Sequence, residues 1–170
     1  ERFPNNIDAF KYLAGSYFCV ENYREAVKYY NRIVKRYPND VVAYTKLAES
    51  YVKLKEYDKA AESLQCLLAL SPDDLHGLRL LVKTYTLAED DQRAIEALKT
   101  ILKLTPEDIE AYRRLSHIYV KRKSYDKVVA VLEKMLLLRP ENALIMNSLA
   151  WHKAAHEGTS AYAPKLALAY

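Results

Sequence analysis

With 170 residues and a 51% apolar fraction the chain has ample material for burial, while three glycines leave room only for short turns between long helices. A net charge of +4 is too mild to argue for nucleic acid by itself, so the placement of charge matters more than its sum. No apolar run reaches the roughly 18 to 20 residues of a membrane-spanning helix, and nothing at the start resembles a signal peptide.

Prolines recur at positions 4, 38, 72, 106 and 140, each 34 residues after the last. A period of that length marks stacked helical repeats, each burying its apolar face only against its neighbours. The opening Glu1-Arg2-Phe3-Pro4 is in phase with the later repeat ends. Residues 1–6 are therefore expected to be the tail of a preceding repeat, and the chain a piece of a longer protein. Whole repeats are then predicted over 7–40, 41–74, 75–108 and 109–142, with a partial or atypical terminal repeat over 143–170.

Within each repeat the apolar residues show helical spacing twice, as in Phe10, Leu13, Tyr17 and then Ala26, Tyr30, Ile33, which predicts two antiparallel helices. The first helix starts after Asn6, Asp40, Asp74, Asp108 and Asn142, side chains that can accept from its unpaired leading amides. The proline two residues earlier stops the preceding helix, because it lacks an N–H and disfavours helical geometry in the residue before it. In the last repeat Met146, Leu149 and Ala150 fit a first helix. A longer connection around Gly158 then precedes an apolar stretch, Leu166 to Tyr170, expected as a second helix covering the end.

Taken together, these residues resemble the tetratricopeptide repeat. Its pattern of a large residue at repeat position 4, Leu at 7, small at 8, Tyr at 11, Ala at 20, aromatic or Leu at 24 and Pro at 32 runs through Phe10, Leu13, Ala14, Tyr17, Ala26, Tyr30 and Pro38. The second repeat reads Tyr44, Leu47, Ala48, Tyr51, Ala60, Leu64, Pro72, and the third Leu78, Leu81, Val82, Tyr85, Ala94, Leu98, Pro106. The fourth reads Tyr112, Leu115, Ser116, Tyr119, Val128, Leu132, Pro140. Val82 and Val128 are bulkier than the small residues such helix crossings favour. The resemblance implies an all-α right-handed superhelix and a non-catalytic scaffold that binds proteins or peptides, with no cofactor.

Among the 15 tyrosines, Tyr17, Tyr23, Tyr30, Tyr44, Tyr51, Tyr57, Tyr85, Tyr112, Tyr119 and Tyr125 fall on the family's packing positions and are expected in the core. Tyr12, Tyr29, Tyr37, Tyr162 and Tyr170 are left as candidate contacts. In the family, positions 5, 6, 9 and 13 of the first helix tend to face a concave groove. Here they are Lys11, Tyr12, Gly15, Cys19, then Thr45, Lys46, Glu49, Lys53, then Arg79, Leu80, Lys83, Leu87, then Arg113, Arg114, His117, Lys121. That set holds eight cations against one anion, Glu49, so one wall gathers more positive charge than the whole chain nets. Such a wall favours acidic ligands, with guanidinium groups able to grip carboxylates in pairs.

The residues also argue against particular members of the family. The clamp with which co-chaperones hold a C-terminal carboxylate is missing, since Gly15, Lys46, His76 and Leu80 stand where its polar residues belong. The asparagine ladder of sugar-nucleotide transferase arrays is missing too. No glycine-rich phosphate loop or nucleophile motif is present. His152 and His156 lie one turn apart but lack the third ligand a metal needs. Cys19 and Cys66, more than a repeat apart, argue against a structural disulfide and leave the compartment open, with a cytoplasmic setting favoured over a periplasmic one.

The resulting expectation is a scaffold that binds an acidic or extended protein segment in a basic groove formed by Lys11, Tyr12, Lys46, Glu49, Lys53, Arg79, Lys83, Arg113, Arg114, His117 and Lys121. The alternatives are nucleic acid or another polyanion in the same groove, or a substrate-recruiting or assembly arm of a larger protein. Self-association through the uncapped N-terminal end is a further expectation.

Overall fold

The computed structural model describes residues 7–156 as nine α-helices, with no strand among the described residues. They are α1 (Ile7–Cys19), α2 (Tyr23–Arg36), α3 (Val41–Lys53), α4 (Tyr57–Leu70), α5 (Leu75–Leu87), α6 (Asp91–Leu104), α7 (Ile109–Lys121), α8 (Tyr125–Leu138) and α9 (Ala143–His156). The chain divides into two compact units, residues 1–97 and 98–170. The terminal helix expected over Leu166 to Tyr170, and Tyr162 and Tyr170 themselves, lie outside the described residues.

Two kinds of turn alternate. At the end of α1, α3, α5 and α7 stands a left-handed residue that is not glycine: Glu21, Lys55, Glu89 and Lys123, with φ of 58°, 61°, 57° and 54°. The amide of the next residue reaches back to a tyrosine carbonyl in each case, Asn22 to Tyr17, Glu56 to Tyr51, Asp90 to Tyr85 and Ser124 to Tyr119, all at 2.9 Å. That six-residue closure is the Schellman geometry, which satisfies carbonyls the helix end leaves open. The other turn follows α2, α4, α6 and α8, where the residue before proline donates to the helix and the Asx residue donates back across the proline, as Tyr37 to Ile33 (2.7 Å) and Asp40 to Tyr37 (3.1 Å). Asp40, Asp74, Asp108 and Asn142 then cap the following helix, accepting from Ala43, Gly77, Ala111 and Ile145 at 2.9 to 3.2 Å.

In the N-terminal unit α1 packs on α2, α3 on α4, and α2 and α4 pack on α3 and α5 respectively. Ala14, Ala26, Ala48 and Ala60 are fully buried, as the close approach of paired helices requires. Amides on the second helices reach forward to tyrosines of the next pair, Asn31 Nδ2 donating to the Tyr51 hydroxyl and Gln65 Nε2 to that of Tyr85, both at 3.1 Å. A cation covers each tyrosine from its own helix pair: Lys59 over Tyr51, Arg93 over Tyr85 and, in the C-terminal unit, Lys127 over Tyr119.

In the C-terminal unit α7 packs on α8 and α8 on α9, around Leu115, Tyr119, Val128, Leu132 and Met135. The Lys153 ammonium meets the Glu133 carboxylate at 2.8 Å and ties α9 to α8. Two sequence expectations need correction. Tyr29, expected as a contact residue, packs against the first core and stacks on Tyr17 with ring centroids 5.6 Å apart. Tyr125, expected in the core, is exposed. Met146, Leu149 and Ala150 lie on α9, the helix expected there, whose buried stripe is Ile145, Leu149 and His152 while Met146 and Ala150 are exposed.

A left-handed conformation costs a residue with a side chain about 1 kcal/mol or more, a cost glycine escapes. Replacing the exposed Lys55 by glycine should therefore raise stability by roughly 0.5 to 1 kcal/mol in denaturant melts, offset only by the greater freedom of glycine in the unfolded chain. An unchanged midpoint would show that the turn carries no such strain.

Candidate ligand-binding wall

Side chains on the first helices of the N-terminal unit reach one another directly. Lys11 on α1 meets Asp40, the cap of α3, at 2.7 Å. The hydrogen bond from Lys11 to Asp40 and the charge of that carboxylate raise the lysine pKa. Partial burial would push the Asp40 carboxyl up, but Lys11 and the Ala43 amide together hold it below the usual range. On α3, Lys46 pairs with Glu49 at 2.7 Å and its ammonium lies 4.7 Å from the centre of the Phe18 ring on α1. The other oxygen of Glu49 faces His76 Nε2 on α5 at 3.9 Å, an ion pair when the imidazole is protonated. Burial raises the pKa of the Tyr30 hydroxyl, with smaller contributions from Cys19 and Glu49.

The remaining cations of this wall are more open. Lys53 is exposed, its ammonium 5.9 Å from the Tyr23 ring centre, and Lys83 on α5 is exposed. Neither is held by an acid among the described residues. Arg79 is exposed, and Tyr12 on α1 is 77% exposed. Of the other candidate aromatic contacts, Tyr37 is 43% exposed at the end of α2. Within the C-terminal unit, Arg113 and Arg114 on α7 both donate to Glu110, at 2.7 and 2.8 Å, while His117 and Lys121 are exposed.

Three groups missed by the sequence reading thus shape the first-helix faces, Asp40 and His76 in the N-terminal unit and Glu110 in the C-terminal unit. Glu110 was legible in principle, since acids three and four residues before a cation sit on the same helix face. The Asp40 pairing was not, because it joins side chains from two different helix pairs. These acids draw on part of the positive charge counted along the first helices, so the cations left for a ligand are fewer than their number suggests.

The two helical glycines differ. A Cβ on Gly77 would lie 2.7 Å from Cδ2 of the fully buried Leu67, so a side chain there would force Leu67 to shift within its packing. A Cβ on Gly15, which faces the wall beside Tyr12, would meet nothing within 4 Å. Both cysteines are exposed free thiols. Among the described residues no group of three or more His, Cys, Asp or Glu is placed to hold a metal ion. His152 is committed to packing instead. It is 8% exposed between Trp151 and Tyr125, its Nδ1 has no hydrogen-bond partner among the described residues, and burial lowers its pKa. The side chain of His156 lies outside the described residues.

A family model described as tetratricopeptide repeat matches residues 20–84 and again 85–151. The chain belongs to the tetratricopeptide repeat family. No curated protein matches the sequence. Among solved structures it is similar to MamA, at 21% identity and a TM-score of 0.70, covering 89% of this chain and 82% of that one. It is similar also to YrrB, described as a TPR protein with an unusual peptide-binding site, at 18% identity and 0.66, covering 92% and 81%. TTC0263, a thermophilic TPR protein of Thermus thermophilus, shares 20% identity at 0.54, covering 88% and 82%. At these identities the likeness concerns the fold. No helix among the described residues is long and apolar enough to cross a membrane.

Exchange of helical glycine for alanine usually adds about 1 kcal/mol of stability. Gly15→Ala should show that gain in thermal melts. Gly77→Ala should instead lose roughly 1 kcal/mol, because the crowding against Leu67 exceeds the propensity gained. Equal behaviour of the two variants would contradict the packing described.

A second expectation concerns acid. Above about pH 6.5 His152 is neutral whether the chain is folded or not; below it the unfolded chain takes up a proton that the folded site resists, so stability falls with falling pH. Going from about pH 7.5 to about pH 5.5, the wild type should lose more stability than His152→Thr, a residue that at the equivalent Thr84 bonds its own helix. Parallel losses in both proteins would remove His152 from that account.

Proposed function

We propose that the chain is a non-catalytic interaction scaffold that binds an acidic, extended protein segment along the first-helix wall of its N-terminal unit. Tetratricopeptide repeat proteins are, as a family, protein-interaction scaffolds, and YrrB, a neighbour in fold, carries a peptide-binding site by its own description. The observation that supports the acidic ligand is the state of Lys53 and Lys83: exposed, on successive first helices, and without an acidic partner among the described residues. Lys11 and Lys46 already have theirs in Asp40 and Glu49, so their charges are satisfied within the wall. An incoming carboxylate would therefore meet Lys53 and Lys83 first. Tyr12 supplies an exposed aromatic surface for the same segment.

The test is a partner captured from the native source and then titrated against purified protein. Lys53→Glu together with Lys83→Glu should weaken binding about tenfold, roughly 1.4 kcal/mol, with helicity unchanged. Equal affinity in the two proteins would refute the basic-wall reading. A polyanion held by its backbone would instead bind irrespective of ligand sequence and lose affinity steeply with salt.

A further inference from the structure

The second helix of the first pair, α2, has an outer face unlike those of its counterparts. It carries Arg24, Lys28, Arg32, Lys35 and Arg36 against the single acid Glu25, whereas α4 has one cation and two acids, α6 three cations and two acids, and α8 two of each. At 100° per residue Arg24, Lys28, Arg32 and Lys35 fall within a sector of about 80°, opposite the buried Ala26, Tyr30 and Ile33. All four cations are exposed. Arg24, Lys35 and Arg36 have no acidic partner among the described residues, and Lys28 pairs only with Glu25. The Arg32 guanidinium is held 5.6 and 5.7 Å from the ring centres of Phe10 and Tyr29, which orients it without neutralising it.

We propose that this face of α2 is a docking surface for an anionic lipid bilayer. The cationic row runs straight for about 16 Å along the helix, and a flat charged plane can touch all of it at once. Clusters of four or more Lys and Arg on an amphipathic helix attract acidic headgroups, the attraction adding up cation by cation. Tyr37, which ends the helix, is exposed, and tyrosine is a side chain that settles at the headgroup boundary. A nucleic-acid duplex fits less well. The flanks of α2 are taken by α1 and α3, so it cannot enter a groove, and two convex cylinders meet over only one or two of the cations. A single strand would want exposed rings for stacking, and within α2 Tyr23 and Tyr29 are half-buried and Tyr30 is buried. The contact is peripheral and separate from the first-helix wall.

The experiment is co-sedimentation of the purified chain with phosphatidylcholine vesicles that contain either no acidic lipid or about 30% phosphatidylserine. The expected result is binding to the acidic vesicles alone, weakened by salt at about 0.5 M. Arg24→Glu, Lys28→Glu and Lys35→Glu combined should abolish it. The milder Arg24→Gln with Lys35→Gln, which keeps the helix polar and uncrowded, should weaken it about fivefold for each cation removed. The wall variant Lys53→Glu with Lys83→Glu should bind more strongly than either. No binding to acidic vesicles, equal binding to both vesicle types, or binding indifferent to the α2 substitutions in proteins of normal helicity would each overturn the proposal. So would α2-dependent binding to a short DNA duplex in the absence of vesicle binding.

Discussion

Two helices can lie antiparallel at alanine distance only if the link between them is short and always bends the same way. In this chain the link is a left-handed residue followed by an amide that returns to a tyrosine carbonyl, repeated at Glu21, Lys55, Glu89 and Lys123. With that turn in place, Ala14 and Ala26, and again Ala48 and Ala60, are fully buried in their helix pairs. The tyrosines that supply the carbonyls serve a second purpose. Tyr51 and Tyr85 use their hydroxyls to accept from the preceding second helix, and their rings lie under a cation. One residue type thus closes its own pair and joins it to the one before.

The surface follows from this frame. Packing consumes the inward faces of the described helices and leaves their outer faces to solvent. On the first helices of the N-terminal unit the charges are partly internal: Asp40 answers Lys11, and Glu49 answers Lys46. Such pairs orient the wall more than they stabilise it, since exposed ion pairs contribute little. On α2 the opposite holds. Its cations outnumber the acids within reach, so the helix presents charge that the protein itself does not use.

Much of the fold was legible in the sequence because the determinants are local. Proline stops a helix and Asx starts one through backbone chemistry that acts over two or three residues, and the caps at Asp40, Asp74, Asp108 and Asn142 form where the spacing put them. Apolar periodicity likewise marked Leu47, Leu64, Leu81, Leu98, Leu115 and Leu132 as core, because any helix with that period must bury that face.

What depends on a neighbouring element was left to the tertiary structure. Tyr29 is half-buried against the core because Tyr17 on the adjacent helix offers a ring to stack on, and Tyr125 is exposed although its position in the pattern is a packing one. Met146 and Ala150 match the repeat yet are exposed among the described residues, since the pattern marks an apolar position but burial depends on what packs over it. The same reason explains the candidate site. A count along the sequence finds the cations, but which of them remain available is decided by acids such as Asp40, which the fold brings up from a neighbouring helix pair.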